Sequence, residues 1–307
     1  MISSMVFAGL GAVGSIYARM ATVSGKVESF AVVADPSSYR TRPVEINGEK
    51  LEIRLMKRED IHQTADLLII AVKWHHLLQT LEEVAPCVRQ GTVILSLLNG
   101  VESEAVIERR FPEAVVLRSY CSGVDSNRVG RSVHMNRCGK IVFGDPTGMQ
   151  TEMIAQVSEV FARTGIPFEA VSDIERQMWW KLMVNAGMNQ VSAVNGLTYG
   201  EFRENPEAMD RMHRVQREVI AVANAQGIPM DESDILKWDW QLATLSAGGF
   251  SSTLQDVRAG RKTEVEIYGG EICRLGRLYH VDTPENARLY AEIRAMERRY
   301  LGEADSK

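Results

Sequence analysis

Three polar residues spaced four apart interrupt a mostly apolar run, MWWKLMVNAGMNQVSAVN over residues 178–195: Lys181, Asn185 and Asn189. In an α-helix that spacing stacks them on one face. A buried polar group without a partner costs about 1–3 kcal/mol, and an ammonium more. The stripe must therefore look into a polar pocket, or satisfy carbonyls at a domain junction, and the run alone leaves both open. In a pocket the chemistry would be an ammonium aimed at an oxygen that gains charge. The two neutral amides beside it would hold a substrate without adding charge.

A second group lies near the start of the chain. Met5 to Ala8 reads as a short strand, followed at once by Gly9-Leu10-Gly11-Ala12-Val13-Gly14. Helical character runs from Ser15 to Val23, and a second apolar run, Phe30 to Ala34, ends at Asp35. This is G-x-G-x-x-G in the strand–turn–helix–strand context that binds a dinucleotide. Gly9 permits the tight turn, Gly11 lets a pyrophosphate reach the backbone, and Gly14 lets helix and strand pack closely. The anion then sits over a helix N-terminus. Asp35 lies about 20 residues beyond the last glycine, where a carboxylate accepts bonds from the ribose and favours NAD over NADP. Asp35-Pro36-Ser37-Ser38 is equally good turn sequence, and Arg40 and Arg42 could offset the charge. Both readings of Asp35 stay open.

Several elements must position these groups. Val44 to Leu55 alternates about Asn47-Gly48 and reads as a β-hairpin. Ala65 to Val72 and Thr92 to Leu98 read as buried strands, with a helix from Leu77 to Val88 between them. Lys73 and Asn99 follow those two strands. Gly9, Asp35, Lys73 and Asn99 thus share the carboxyl edge of a predicted parallel sheet, the edge at which such sheets bind ligands. Val115 to Val124, Ser132 to Phe143 and Phe168 to Val171 complete the strands, and Glu152 to Thr164 reads as a helix. A domain boundary is expected near residue 171. Beyond it helices take over: Pro206 to Gln226, Asp231 to Gly248, Thr263 to Leu278 and Pro284 to Leu301. Trp238 and Trp240 are expected in the core. Ser251 to Glu266 reads as a functional loop. Tyr290 and Ile293 mark the last helix as either a surface or an interface, which leaves a homodimer open.

The totals narrow the class. A chain of 307 residues, 45% apolar and 24% charged, suits two globular domains. A net charge of −5 with no basic run argues against nucleic acid or a membrane surface as partner. The longest apolar run, Leu67 to Val72, is far too short to span a bilayer, and no cleavable leader opens the chain. Cys87, Cys121, Cys138 and Cys273 form no C-x-x-C pair, and no histidine pattern completes a metal site. Reduced thiols and a cytoplasmic location are the expectation.

These motifs together resemble the 2-dehydropantoate 2-reductase (ketopantoate reductase) family over nearly the whole chain. The matching pieces are GLGAVG at Gly9 to Gly14, AVK at Ala71 to Lys73, LNG at Leu98 to Gly100 and GDP at Gly144 to Pro146. WKLMVNAGMN at Trp180 to Asn189, SSTLQDVRAGRKTEVE at Ser251 to Glu266 and TPEN at Thr283 to Asn286 follow. The helix motif with SSTLQD…TE is the specific part. The resemblance implies an α/β fold: an N-terminal Rossmann-type doubly wound sheet over 1–171, an all-α domain over 172–307, and an active site between them. It implies that Lys181 donates the proton, that Asn185 and Asn189 hold the hydroxyl and carbonyl end of the substrate, and that Ser252 binds its carboxylate. Glu264 would lie beside the reacting centre and position the lysine or substrate, and would also contact the cofactor. Gly9, Leu10, Gly11, Ala12, Val13, Gly14, Asp35, Lys73 and Asn99 would bind the cofactor, with Asn99 also near the substrate. The implied cofactor is NADPH, and Asp35, where the family commonly has arginine, favours NADH instead. Gln190 stands where the family usually has proline. The implied reaction is reduction of 2-dehydropantoate. An NAD-dependent D-2-hydroxyacid dehydrogenase acting on another branched 2-oxo acid is the alternative, and a dinucleotide-sensing protein without turnover is the alternative of another class.

Overall fold

The computed structural model describes residues 1–302 of the chain. The chain divides into two compact units, Met1–Ile174 and a second that begins at Glu175. In the first unit the elements run β1 (Ser4–Ala8), α1 (Gly14–Ser24), β2 (Glu28–Val32), α2 (Pro36–Thr41), β3 (Glu45–Ile46) and β4 (Glu49–Lys50). They continue with β5 (Arg54–Met56), β6 (Leu67–Ile70), α3 (Leu77–Val84), β7 (Val93–Ser96), α4 (Ser103–Arg110) and β8 (Val115–Ser122). β9 (Asp125–Val129), β10 (Ser132–Arg137), β11 (Lys140–Gly144), α5 (Thr151–Thr164) and β12 (Phe168–Ala170) complete it.

Eight strands form one sheet in the order β12-β11-β8-β7-β6-β1-β2-β5. From β5 to β8 every neighbour is parallel; β11 runs antiparallel to β8, and β12 is parallel to β11. The central strands carry no polar alternation because helices cover both of their faces: Leu67–Ile70 is buried at every position. Within β1, Met5 and Phe7 pack with Ile16 and Tyr17 of α1 and Phe161 of α5. Val6 and Ala8 face the other way, toward Leu77 and Leu81 of α3 and Ile107 of α4. The sheet is thus doubly wound. The chain leaves β1 for β2 on one side and reaches β6 on the other, so the crevice above β1 is the point at which the strand order reverses.

A second, four-stranded sheet has the order β4-β3-β10-β9. Here the structure corrects two sequence readings. Asn47 and Gly48 do turn a hairpin, both at positive φ, but it joins only two-residue strands. Arg54–Met56 leaves it to pair with β2 in the main sheet. Ser132 to Phe143 is two strands, separated at Cys138 and Gly139, where φ is +65°.

In the second unit, α6 (Ile174–Asn195), α7 (Tyr199–Arg203), α8 (Pro206–Ala225) and α9 (Glu232–Thr244) precede α10 (Ser252–Arg258), α11 (Gly269–Tyr279) and α12 (Pro284–Leu301). α8, α11 and α12 pack on one another. Four sequence readings change. Ser251 to Glu266 is not wholly a loop: the Ser251 side chain caps the N-terminus of α10 by accepting from Leu254 N. Thr263 to Leu278 is not one helix; a short 3₁₀ turn at Val265–Ile267 precedes α11. Trp238 is buried, but Trp240 is 73% exposed, on the side of the helix opposite Ile235, Trp238 and Leu242. Ile293 is buried within the unit, and Tyr290 donates its hydroxyl to Glu266, so this face of α12 is used internally.

Candidate active site

The glycine turn is constrained by its own backbone. Gly9 has φ +99°, and a Cβ there would lie 2.5 Å from the Ala71 carbonyl oxygen. A Cβ on Gly14 would lie 2.0 Å from the Gly9 oxygen. The fold alone therefore requires glycine at both positions. Gly11 differs. Its φ is not in the left-handed region, and a Cβ would meet nothing closer than Arg128 Nη1 at 3.7 Å and the Ala71 oxygen at 3.9 Å. Nothing in the chain demands a bare backbone at Gly11, so the space it keeps open fits a ligand that must touch the main chain. α1 begins directly behind it: Ser15 N and Oγ both donate to the Gly11 oxygen. The turn thus presents bare backbone and a helix N-terminus to one point, the arrangement a pyrophosphate needs.

Leu10 is buried, and Ala12 and Val13 are half-buried in the same turn. Lys73 and Asn99 follow β6, which pairs with β1, and β7, the next parallel strand beyond it, and both are half-buried and engaged in polar or electrostatic contacts. Asp35 caps α2: its Oδ1 accepts from Ser37 N at 2.9 Å and from Ser37 Oγ at 2.5 Å. The Ser37 hydroxyl is the main reason the Asp35 carboxyl lies below its ordinary range. The turn reading of Asp35 is therefore realised, and it leaves a fully charged, exposed carboxylate at the end of β2.

The second unit gathers the other group. Between Met178 and Ala193 in α6 every residue is buried except Trp180, Lys181 and Asn185. The rotation of the helix is set at both ends. Arg176 donates to both Asp234 oxygens, at 2.9 and 3.0 Å, and Trp180 Nε1 donates to the Asp234 carbonyl. Near the other end, the Ser192 and Ser251 hydroxyls share a hydrogen bond of 2.6 Å. With those faces fixed, Lys181 and Asn185 point away from the apolar core, and Asn189, 7% exposed, lies one turn deeper. Asn189 Nδ2 reaches Ser252 Oγ at 3.5 Å, which joins the polar stripe to the exposed first residue of α10. Lys181 and Glu264 each carry further polar or electrostatic contacts. Glu264 is 9% exposed and follows Thr263, which is held by Glu297 through Thr263 N at 2.7 Å and Oγ1 at 2.6 Å.

Sequence reasoning missed Tyr268. It is fully buried, and its hydroxyl has no hydrogen-bond partner of good geometry. Burial, then the Glu264 carboxylate, pushes its pKa well up; the Asn189 amide opposes this, and Asp256 adds to it. Tyr268 is thus the side chain that Glu264 and Asn189 both approach. A lone tyrosine in a mixed-polarity stretch carries no periodic signal, so only the fold reveals it. Gln190 also gains a rationale. It is fully buried and donates to the Ala186 carbonyl at 2.8 Å and to Asn286 Oδ1 at 3.3 Å. Its Oε1 lies 2.5 Å from where a Cβ on residue 269 would stand, so Gln190 fits because that residue is glycine. α6 runs on unbroken to Asn195.

Among the described residues, no group of three or more His, Cys, Asp or Glu is arranged to hold a metal ion, and no helix is long and apolar enough to cross a membrane.

Two family models match consecutive parts of the chain: "Ketopantoate reductase PanE/ApbA" over residues 5–148 and "Ketopantoate reductase PanE/ApbA C terminal" over residues 173–297. The chain is 28% identical to a 2-dehydropantoate 2-reductase of Aquifex aeolicus, over 97% of this chain and 98% of that one. A PanE/ApbA family ketopantoate reductase from Ralstonia eutropha has the same fold with a TM-score of 0.85, at 25% identity over 97% of this chain and 99% of that one. The ternary structure of D-mandelate dehydrogenase with NADH and anilino(oxo)acetate shares the fold at a TM-score of 0.86 and 21% identity, over 97% and 99% of the two chains. With both halves matched in order, the chain belongs to the ketopantoate reductase family, NAD(P)-dependent oxidoreductases that act on a CH–OH group.

Proposed function

We propose that this protein reduces 2-dehydropantoate to D-pantoate, with Lys181 supplying the proton. One observation carries the reading: on a helix buried from Met178 to Ala193 apart from Trp180, a lysine and an asparagine one turn apart face outward, beside an amide that reaches Ser252. The reduced nicotinamide supplies the hydride to the ketone carbon. The ketone oxygen then takes a proton from the Lys181 ammonium, which is restored from water, so each turnover consumes one hydride and one solvent proton. An ammonium suits this because it is a compact donor whose pKa responds to burial; a carboxylate such as Glu264 opposes any fall. Asn185 and Asn189 hold the hydroxyl and carbonyl end of the substrate. Ser252, at the start of α10, takes the carboxylate. Gly9 to Gly14 bind the pyrophosphate, Asp35 the adenosine ribose, and Lys73 and Asn99 the remainder of the dinucleotide.

We favour NADH over NADPH. A charged carboxylate at the end of β2 accepts ribose hydroxyls and repels a 2′-phosphate, and Asp35 stands charged at that place. The same residue favours the second reading, an NAD-dependent dehydrogenase of another branched 2-oxo acid. Oxidation of NADH and NADPH, each paired with 2-dehydropantoate and with 2-oxo-3-methylbutyrate, separates the two. The expected result is the highest kcat/KM for NADH with 2-dehydropantoate. A higher value with the second acid would replace the substrate assignment, and absence of turnover despite dinucleotide binding would point to a sensor.

A further inference from the structure

The space over Gly11 is bounded on its outer side by a residue far along the chain. Arg128 lies on β9, in the second sheet, and its Nη1 is 3.7 Å from where a Gly11 Cβ would be. Its guanidinium is steered there by its own turn, because Arg128 Nε donates to the Gly130 carbonyl at 2.8 Å. The hairpin carrying it is fixed to the nucleotide end of the unit. Arg131, at the same β9–β10 turn, donates to the Ser38 and Arg42 carbonyls and to Ser38 Oγ, and lies over the Tyr39 ring at 3.7 Å. From the other side, Tyr17 of α1 donates its hydroxyl to the Cys138 carbonyl at 2.9 Å.

We infer that Arg128 binds the diphosphate of the dinucleotide, opposite the N-terminus of α1. This inference rests on the cofactor reading above and adds a residue to it. Backbone amides and a helix N-terminus meet the anion from within. A guanidinium on the open side supplies charge and two parallel donors, the geometry that suits a phosphate. The bond to Gly130 uses Nε, and Nη1 is the guanidinium nitrogen nearest Gly11.

The test separates phosphate from nucleoside. Wild-type protein, Arg128→Gln and Arg128→Lys are titrated calorimetrically with ADP-ribose, AMP and adenosine at two salt concentrations. Loss of a charge-assisted contact predicts about 10–100-fold weaker ADP-ribose binding by Arg128→Gln, with a shallower salt dependence. Adenosine binding should be unchanged, AMP intermediate, and Arg128→Lys should recover part of the loss. Equal losses for ADP-ribose and adenosine would mean that Arg128 only shapes the turn, and would overturn the inference. So would unchanged ADP-ribose affinity in Arg128→Gln. If the wild-type protein binds none of the three ligands, the cofactor reading itself fails.

Discussion

Glu104 should set how the first unit responds to pH. It lies in the first turn of α4, 1% exposed. Ser103 Oγ donates to its Oε2 at 2.9 Å, Ser119 N donates to its Oε1 at 3.5 Å, and Arg118 attracts its charged form. Burial outweighs these and lifts the carboxyl from 4.5 to about 7. An unfolded chain gives up this proton near 4.5, whereas the folded chain keeps it until about 7. Between those values the folded state binds more protons, so stability is greatest below 4.5 and falls as pH rises through about 7. At 1.36 kcal/mol per pH unit the interval is worth about 3 kcal/mol. Glu104→Gln mimics the protonated acid and has nothing to ionise. Its amide can donate to Ser103 Oγ, whose own proton can turn to Ser96 Oγ at 2.7 Å. The variant should match wild type near pH 4 and exceed it by most of that 3 kcal/mol at pH 8. Hydrogen–deuterium exchange of the β7 and β8 amides, compared between the two proteins at each pH, reads the opening of this unit alone. A variant-minus-wild-type difference that is the same at both pH values would refute the reasoning.

Lys181→Ala should lower kcat by about 10²–10⁴-fold and leave dinucleotide affinity unchanged; an equal loss of affinity by fluorescence titration would remove the proton-donor role. Tyr268→Phe deletes a buried hydroxyl that has no hydrogen bond of good geometry and should stabilise the second unit by about 1–3 kcal/mol. Urea unfolding checks it, and a destabilised variant would mean that the hydroxyl is satisfied. Asp35→Ala removes the α2 cap at a local cost of about 1 kcal/mol and should raise kcat/KM for NADPH relative to NADH. An unchanged ratio in paired assays would show that Asp35 acts only as a cap.

The glycine turn and the α6 stripe were legible because each is a local pattern. A strand's apolar run must be followed within a few residues by glycines at fixed offsets, and residues four apart must share a helix face whatever surrounds them. The rest depends on distant partners. Thr263 is held by Glu297, 34 residues away, and no pattern within Thr263 to Leu278 announces that the helix begins only at Gly269. β9 alternates between half-buried and exposed residues with no apolar face, so it carries no strand signal and was overlooked, along with Arg128. Trp240 shows the converse: a large aromatic invites a core assignment, but helix phase places it outside. Asp35 takes its turn reading, and because capping engages Oδ1 without removing the charge, its ribose role stands as a proposal.

The pairing of β3 with β10 and the grip of Arg131 on α2 bear on how far the nucleotide half can be cut down. A fragment ending after β7 would contain every glycine of the turn, both flanking strands and Asp35. It would lack the hairpin that braces α1 and α2 from outside and the strand that covers the edge of β7. Such a minimal module would keep the motif but lose its scaffolding, so grafts from this chain must carry at least residues 1–144.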